Sequence, residues 1–131
     1  MSLMLPGTTS ARKPEFPAAA VVKGMTPAGY PYLSGGRSFE EQRAIERMSG
    51  PYNLKLVLGR RFGLPPAQVV LVIGTNQKRS VDRITVRQPL VYLRLPPGGY
   101  TVIARFENQI VVIRDVFLRE DRRETYFLRG D

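Results

Sequence analysis

From residue 52 onward, apolar and polar side chains alternate with a period of two, the spacing of half-buried β-strands. Residues 53–58 put Leu54, Leu56 and Leu58 on one face. Residues 68–73 hold an unbroken apolar run from Val69 to Ile73, which predicts a strand covered on both faces. Further strands are predicted at 83–87, 90–95, 100–106, 109–117 and 124–128, seven in all. That number of short strands, separated by turn signals, predicts a mainly β sandwich. The sharpest local signal is Leu95-Pro96-Pro97-Gly98-Gly99-Tyr100. Pro97 presets the first central position of a type II turn, and Gly98 supplies the positive φ wanted at the second. Beyond it, Tyr100, Val102, Ala104 and Phe106 alternate with Thr101, Ile103 and Arg105. Glu107-Asn108 then predicts a tight hairpin with Asn108 at positive φ.

One helix is predicted, over residues 39–48. Ser38 and Glu41 form an S-x-x-E capping box, Gly50 is placed to cap the end in the left-handed conformation, and Pro51 stops the chain. Ala44, Ile45 and Met48, with Phe39 near the start, make a thin apolar stripe suited to packing on a sheet edge. Before the helix, Pro6, Pro14, Pro17, Pro27 and Pro31 rule out a long helix and predict an arm, extended or disordered, over residues 1–33. Tyr30 and Tyr32 are its first residues expected to pack. The chain thus divides into that arm, a capped helix segment at 34–51 and a β-sandwich domain at 52–131.

Composition removes much chemistry. There is no cysteine, so no disulfide or thiolate, and no histidine, the commonest general base and transition-metal ligand. Glu40/Glu41 and Glu120/Asp121 are adjacent pairs whose members point apart, and arginines beside them favour the ionised form over an acid catalyst. Gly35-Gly36 and Gly98-Gly99 lack the strand–loop–helix context of a phosphate loop. No catalytic residue, metal site or cofactor is expected. No apolar run reaches the ~20 residues of a membrane-spanning helix.

The net charge of +9 is uneven: residues 51–131 carry fourteen basic against seven acidic side chains. Such an excess attracts polyanions. Arg60, Arg61 and Phe62 fall in one predicted loop (59–66), and Lys78 and Arg79 in another (74–79). Arg94, Arg105 and Arg114 fall at outward strand positions, where guanidinium groups on adjacent strands would form a ladder for phosphate or sulfate. The competing arrangement pairs these arginines with Asp115, Glu107 and Glu124 as a solvated face.

The stretch Leu95-Pro96-Pro97-Gly98-Gly99-Tyr100-Thr101-Val102 and the segment Tyr52-Asn53-Leu54-Lys55-Leu56-Val57, which follows Ser34-Gly35-Gly36 and the charged helix, together resemble a known module. It is the transthyretin-like or carboxypeptidase-regulatory-like β-sandwich module of small secreted proteobacterial proteins. The likeness spans residues 34–129. It implies a seven-strand immunoglobulin-like or transthyretin-like sandwich, a periplasmic or secreted location and a non-catalytic role. On this reading Met1-Ser2-Leu3 is a leader standing where a signal peptide has been removed. Two features depart from the pattern: Asn108 stands where the hairpin often has Gly, and loop 59–66 is rich in Arg and Pro.

The expected protein is therefore a non-enzymatic envelope module that binds a protein partner or an anionic surface polymer such as an acidic glycan. Its candidate contacts are Arg60, Arg61, Phe62, Lys78, Arg79, Arg94, Arg105 and Arg114. The alternative is a cytoplasmic nucleic-acid-binding protein that uses an Arg-rich sheet face and the same loops.

Overall fold

A computed structural model of the chain describes residues 21–60, 68–75 and 80–130. Among them are nine strands and one helix: β1 (Val22–Met25), β2 (Pro31–Gly35), α1 (Phe39–Met48), β3 (Leu54–Arg60), β4 (Val69–Thr75), β5 (Ser80–Val86), β6 (Leu90–Leu93), β7 (Gly98–Arg105), β8 (Ile110–Leu118) and β9 (Glu124–Gly130). Sheet one has the order β9-β3-β6-β2-β1 and sheet two the order β5-β4-β7-β8. The β9–β3 pair is parallel and the others are antiparallel.

Period-two alternation builds the core. Leu54, Leu56, Leu58, Val91, Leu93 and Leu128 from sheet one meet Val69, Leu71, Ile73, Val102, Ala104 and Val116 from sheet two in one buried cluster. The fold is thus a mainly β sandwich, with nine strands among the described residues rather than seven. All seven expected strands are present. The two additional ones, β1 and β2, come from residues 21–35, mostly inside the segment expected to be an arm. Their hairpin pairs through β2 with β6 (Leu33↔Tyr92, Ser34↔Val91), and Tyr30 and Tyr32 pack against the core. Residues 1–20 of that arm lie outside the described residues. The proline density there concealed the hairpin because Pro27 falls in its turn and Pro31 at a strand start, where neither breaks the ladder.

The strand covered on both faces is β6, not β4. All four β6 residues are buried, whereas in β4 the residues Val70 and Val72 are only half-buried on the outer face of sheet two. What covers β6 is α1. Ile45 is fully buried and forms a second small core with Leu33, Tyr52, Leu90 and Tyr92, so the helix lies across the outer face of sheet one instead of on an edge. Phe39, expected in the apolar stripe, is exposed, with the Arg43 guanidinium 5.7 Å from its ring centre.

The helix caps differ in detail from expectation. Ser38 Oγ accepts from Glu41 N at 3.1 Å, as a capping box requires, but Glu41 Oε1 accepts from Arg37 N at 2.9 Å, one residue further back. At the other end Ser49, in the right-handed region, is the cap, and its hydroxyl donates to Glu46 O at 2.7 Å. Gly50 is not left-handed.

Gly98 does take positive φ, +152°, more extended than a type II turn, and opens β7 directly. Tyr100 hydroxyl closes this corner by donating to Pro96 O at 2.6 Å. In the β7–β8 hairpin Phe106 N donates to Gln109 O at 2.8 Å, and Asn108 keeps negative φ. The positive-φ residue is instead Asp115, at +60°, where β8 bulges against β7 between Tyr100 and Val102.

Asn53 ties the connections together at one end of the sandwich. Its Nδ2 donates to Leu95 O at 2.8 Å and Arg119 O at 3.0 Å, and its Oδ1 accepts from Leu95 N at 3.0 Å.

Candidate anion-binding site

Edge strand β5 turns Asp82, Ile84 and Val86 into the sandwich and leaves Arg83 and Thr85 on the outer face of sheet two, with Arg87 just beyond the strand end. Register sets what stands beside them. Val72 lies opposite Arg83, and Val70 lies between Thr85 on one side and Arg105 on the other. The outcome is a recess of about 630 Å³ lined by Gln68, Val70, Arg83, Arg87, Arg105 and the Phe106-Glu107 turn.

Three guanidinium groups therefore border one recess in which Glu107 is the single carboxylate among the described residues. Arg83 and Arg105 are exposed, and their side chains make no hydrogen bond or ion pair among the described residues. Arg87 Nη2 makes a long bond, 3.4 Å, to Gln68 Oε1. The Arg87 main chain is held more firmly: its carbonyl accepts from Arg37 Nη2 at 2.6 Å, which links the start of α1 to the β5–β6 connection. Each guanidinium presents five N–H donors and no acceptor, so donors left without partners around a semi-enclosed volume suit an oxyanion.

Gly130, which pairs with Arg60 at the end of β9, backs the Phe106 ring. A Cβ placed there would stand 2.6 Å from Phe106 Cγ, so only glycine lets the Phe106 ring lie down at the recess wall. Behind β5, the carboxylate of Asp82 is buried. Its Oδ1 accepts from Arg83 N at 3.2 Å and from Ala28 N at 3.1 Å, which fastens the β1–β2 turn to sheet two.

The arginines selected from sequence do not form a ladder. Arg94 follows β6 on sheet one, and its Nη1 donates to Pro51 O at 2.5 Å, a structural tie to the end of the helix segment. Arg123, from the charged turn before β9, acts similarly: Nε donates to Tyr52 O at 3.1 Å, Nη2 donates to Ser49 O, and its Cζ lies 5.2 Å from the Tyr92 ring centre. Arg105 and Arg114 share sheet two, but Arg105 pairs with Ile110, four residues from Arg114 along β8. At about 3.3 Å per residue that is ~13 Å, and Arg114 does not line the recess that Arg105 borders. Arg60 ends β3, while Arg61, Phe62, Lys78 and Arg79 lie outside the described residues. Among the described residues Arg94, Arg105 and Arg114 make none of the cross-strand ion pairs expected for a solvated face, and the carboxylate of Glu124 instead meets Arg122, two residues before it, at 3.3 Å.

Arg83 and Arg87 were not selected from sequence, although Arg83-x-Thr85-x-Arg87 alternates against Ile84 and Val86. The alternation gives their face. It does not give the sheet order β5-β4-β7 that brings Arg105 alongside.

Burial raises the Tyr52 phenol above its ordinary 10.0, and burial together with the nearby Tyr30 raises Tyr100. Among the described residues no group of three acidic side chains gathers, and no helix is long and apolar enough to cross a membrane. The class that these observations define is a mainly β, two-sheet protein with a basic recess on one outer face. No family model, curated protein or solved structure matches the chain.

Proposed function

We propose that the protein is a non-enzymatic binding module of the bacterial envelope, a transthyretin-like seven-strand sandwich extended by the β1–β2 hairpin, that holds an anionic ligand in the recess on sheet two. The observation that carries this reading is the convergence of Arg83, Arg87 and Arg105 on one volume of about 630 Å³ with Glu107 as its only carboxylate among the described residues. Three guanidinium groups outnumber the one carboxylate described there, and an oxyanion that enters the recess balances the excess while accepting charge-assisted bonds. The location and the family rest on the sequence resemblance.

Titration of the full chain with inorganic polyphosphate, at low and at moderate salt, tests the reading. Binding weakens with salt as the charges are screened, and Arg105→Ala weakens it at least tenfold, on the scale of one charge-assisted contact worth about 1.5–3 kcal/mol. Affinity unchanged by Arg105→Ala overturns the site. Fractionation of the native host tests the location: a mature periplasmic product supports the envelope reading, and an uncleaved cytoplasmic product overturns it.

A further inference from the structure

We infer that the ligand of the recess is an acidic polysaccharide in which charged and neutral sugars alternate, and that it continues over edge strand β5 into a second cleft on the flank of the sandwich. This rests on the recess being an anion site and adds what the rest of the ligand must be.

The second cleft, about 400 Å³, opens where the β1–β2 hairpin of sheet one faces β5 of sheet two, and Val22, Tyr32, Ser34, Thr85, Arg87 and Gln88 are among its lining residues. The two spaces adjoin. Val70 lines the recess and its direct cross-strand partner Thr85 lines the cleft, while Arg87 lines both. Both volumes fall within the few hundred to ~1,000 Å³ typical of small-ligand sites.

Their chemistry differs. The recess carries three guanidiniums. Among the described residues the cleft has no ionised side chain besides the shared Arg87; it offers a phenol ring, two hydroxyls and an amide over the apolar side chains of Val22 and Val86. Buried Ser34 donates its hydroxyl to Gln88 Oε1 at 3.3 Å. That bond orients the amide and leaves its Nε2 hydrogens without a partner among the described residues.

A nucleic acid or a polyphosphate carries a charge on every unit. Its next charge would enter the cleft, where the shared Arg87 is the one cation among the described residues. A sugar chain with an acid group on alternate units places carboxylate or sulfate among Arg83, Arg87 and Arg105, and lays the neutral unit's hydroxyls against Gln88 and Thr85. The neutral ring has the Tyr32 face and the two valines for its apolar side.

The experiment titrates the full chain and its Gln88→Ala and Arg105→Ala variants with three probes. These are a hyaluronan decasaccharide (one carboxylate per two sugars), a dT oligonucleotide of equal charge, and inorganic polyphosphate. Thermal melts check that each variant is folded. The expected result is that the decasaccharide binds more tightly than the oligonucleotide. Gln88→Ala weakens the decasaccharide at least fivefold and leaves polyphosphate unchanged, and Arg105→Ala weakens both. If polyphosphate binds through Arg105 but Gln88→Ala leaves the decasaccharide unaffected, the cleft is no part of the site and the polysaccharide inference falls while the anion site stands. An oligonucleotide that binds as tightly as the decasaccharide also overturns the inference, in favour of nucleic acid. If no probe binds, the recess itself is refuted.

Discussion

Removing the Asn53 carboxamide tests whether one side chain holds the ends of both sheets together. Asn53 is 2% exposed, and its three side-chain bonds reach the β6–β7 and β8–β9 connections. At a net ~1 kcal/mol each, the three bonds in Asn53→Ala cost about 3 kcal/mol. Leu95 is itself buried, so its N–H and one carbonyl bond are left without partners, which adds about 1 kcal/mol more. A loss of ~4 kcal/mol is a large share of the 5–15 kcal/mol that stabilises a typical domain. The assay is equilibrium urea unfolding followed by circular dichroism. The midpoint should fall while the slope is preserved, because the surface exposed on unfolding barely changes. Asn53→Asp sharpens the test, because it keeps the shape and replaces the Nδ2 donor with an oxygen facing the carbonyls of Leu95 and Arg119. The introduced carboxyl is tolerated better protonated than ionised, so this variant loses stability as pH rises through the carboxylate range. A loss under ~1 kcal/mol in Asn53→Ala would show that the connections are held by packing alone and refute the reasoning.

Three further predictions concern single sites. Gly130→Ala displaces the Phe106 ring and so lowers both stability and polyphosphate affinity; an unchanged affinity would detach Phe106 from the recess. Tyr92→Phe keeps the buried ring and its neighbours Lys55 and Arg123 but removes a buried hydroxyl that has no hydrogen-bond partner, so stability holds or rises by up to about 1 kcal/mol. A fall larger than that in urea unfolding would mean that the hydroxyl is satisfied in solution. Tyr100 is raised above 10.0 in the folded chain by burial, with Tyr30 adding to it, so its stabilising contribution is intact below pH 10 and is lost as pH rises through the folded value. Tyr100→Phe should be less stable at neutral pH, having lost the bond to Pro96, yet should lose less on going to alkaline pH. Parallel pH profiles of the two proteins would contradict this.

Strand positions were legible because the alternation is strict: Leu54, Leu56 and Leu58 face the core as the pattern requires. What the pattern left open was which face of which sheet is covered. The apolar run from Val69 to Ile73 looks doubly buried in one dimension, but α1 lands on β6, and only the path of the chain through β2 decides that. The site was legible in kind and not in place. Arginine excess pointed to an anion, but Arg94 was spent on Pro51, and Arg83 and Arg87 acquire meaning only beside Arg105 once β4 lies between them. Long-range strand order has no local signature, so a ladder drawn from neighbouring sequence positions joined residues that stand on different sheets.

In the proposed function, position and not total charge makes the recess on sheet two a binding site. The most direct measurement compares polyphosphate binding by the native chain, by Arg83→Ala/Arg105→Ala, and by a control of equal charge, Arg119→Ala/Arg129→Ala, whose side chains are exposed and do not line the recess. The first pair should abolish measurable binding while the control changes affinity less than threefold. Equal losses in both variants would contradict it, since binding would then follow net charge alone.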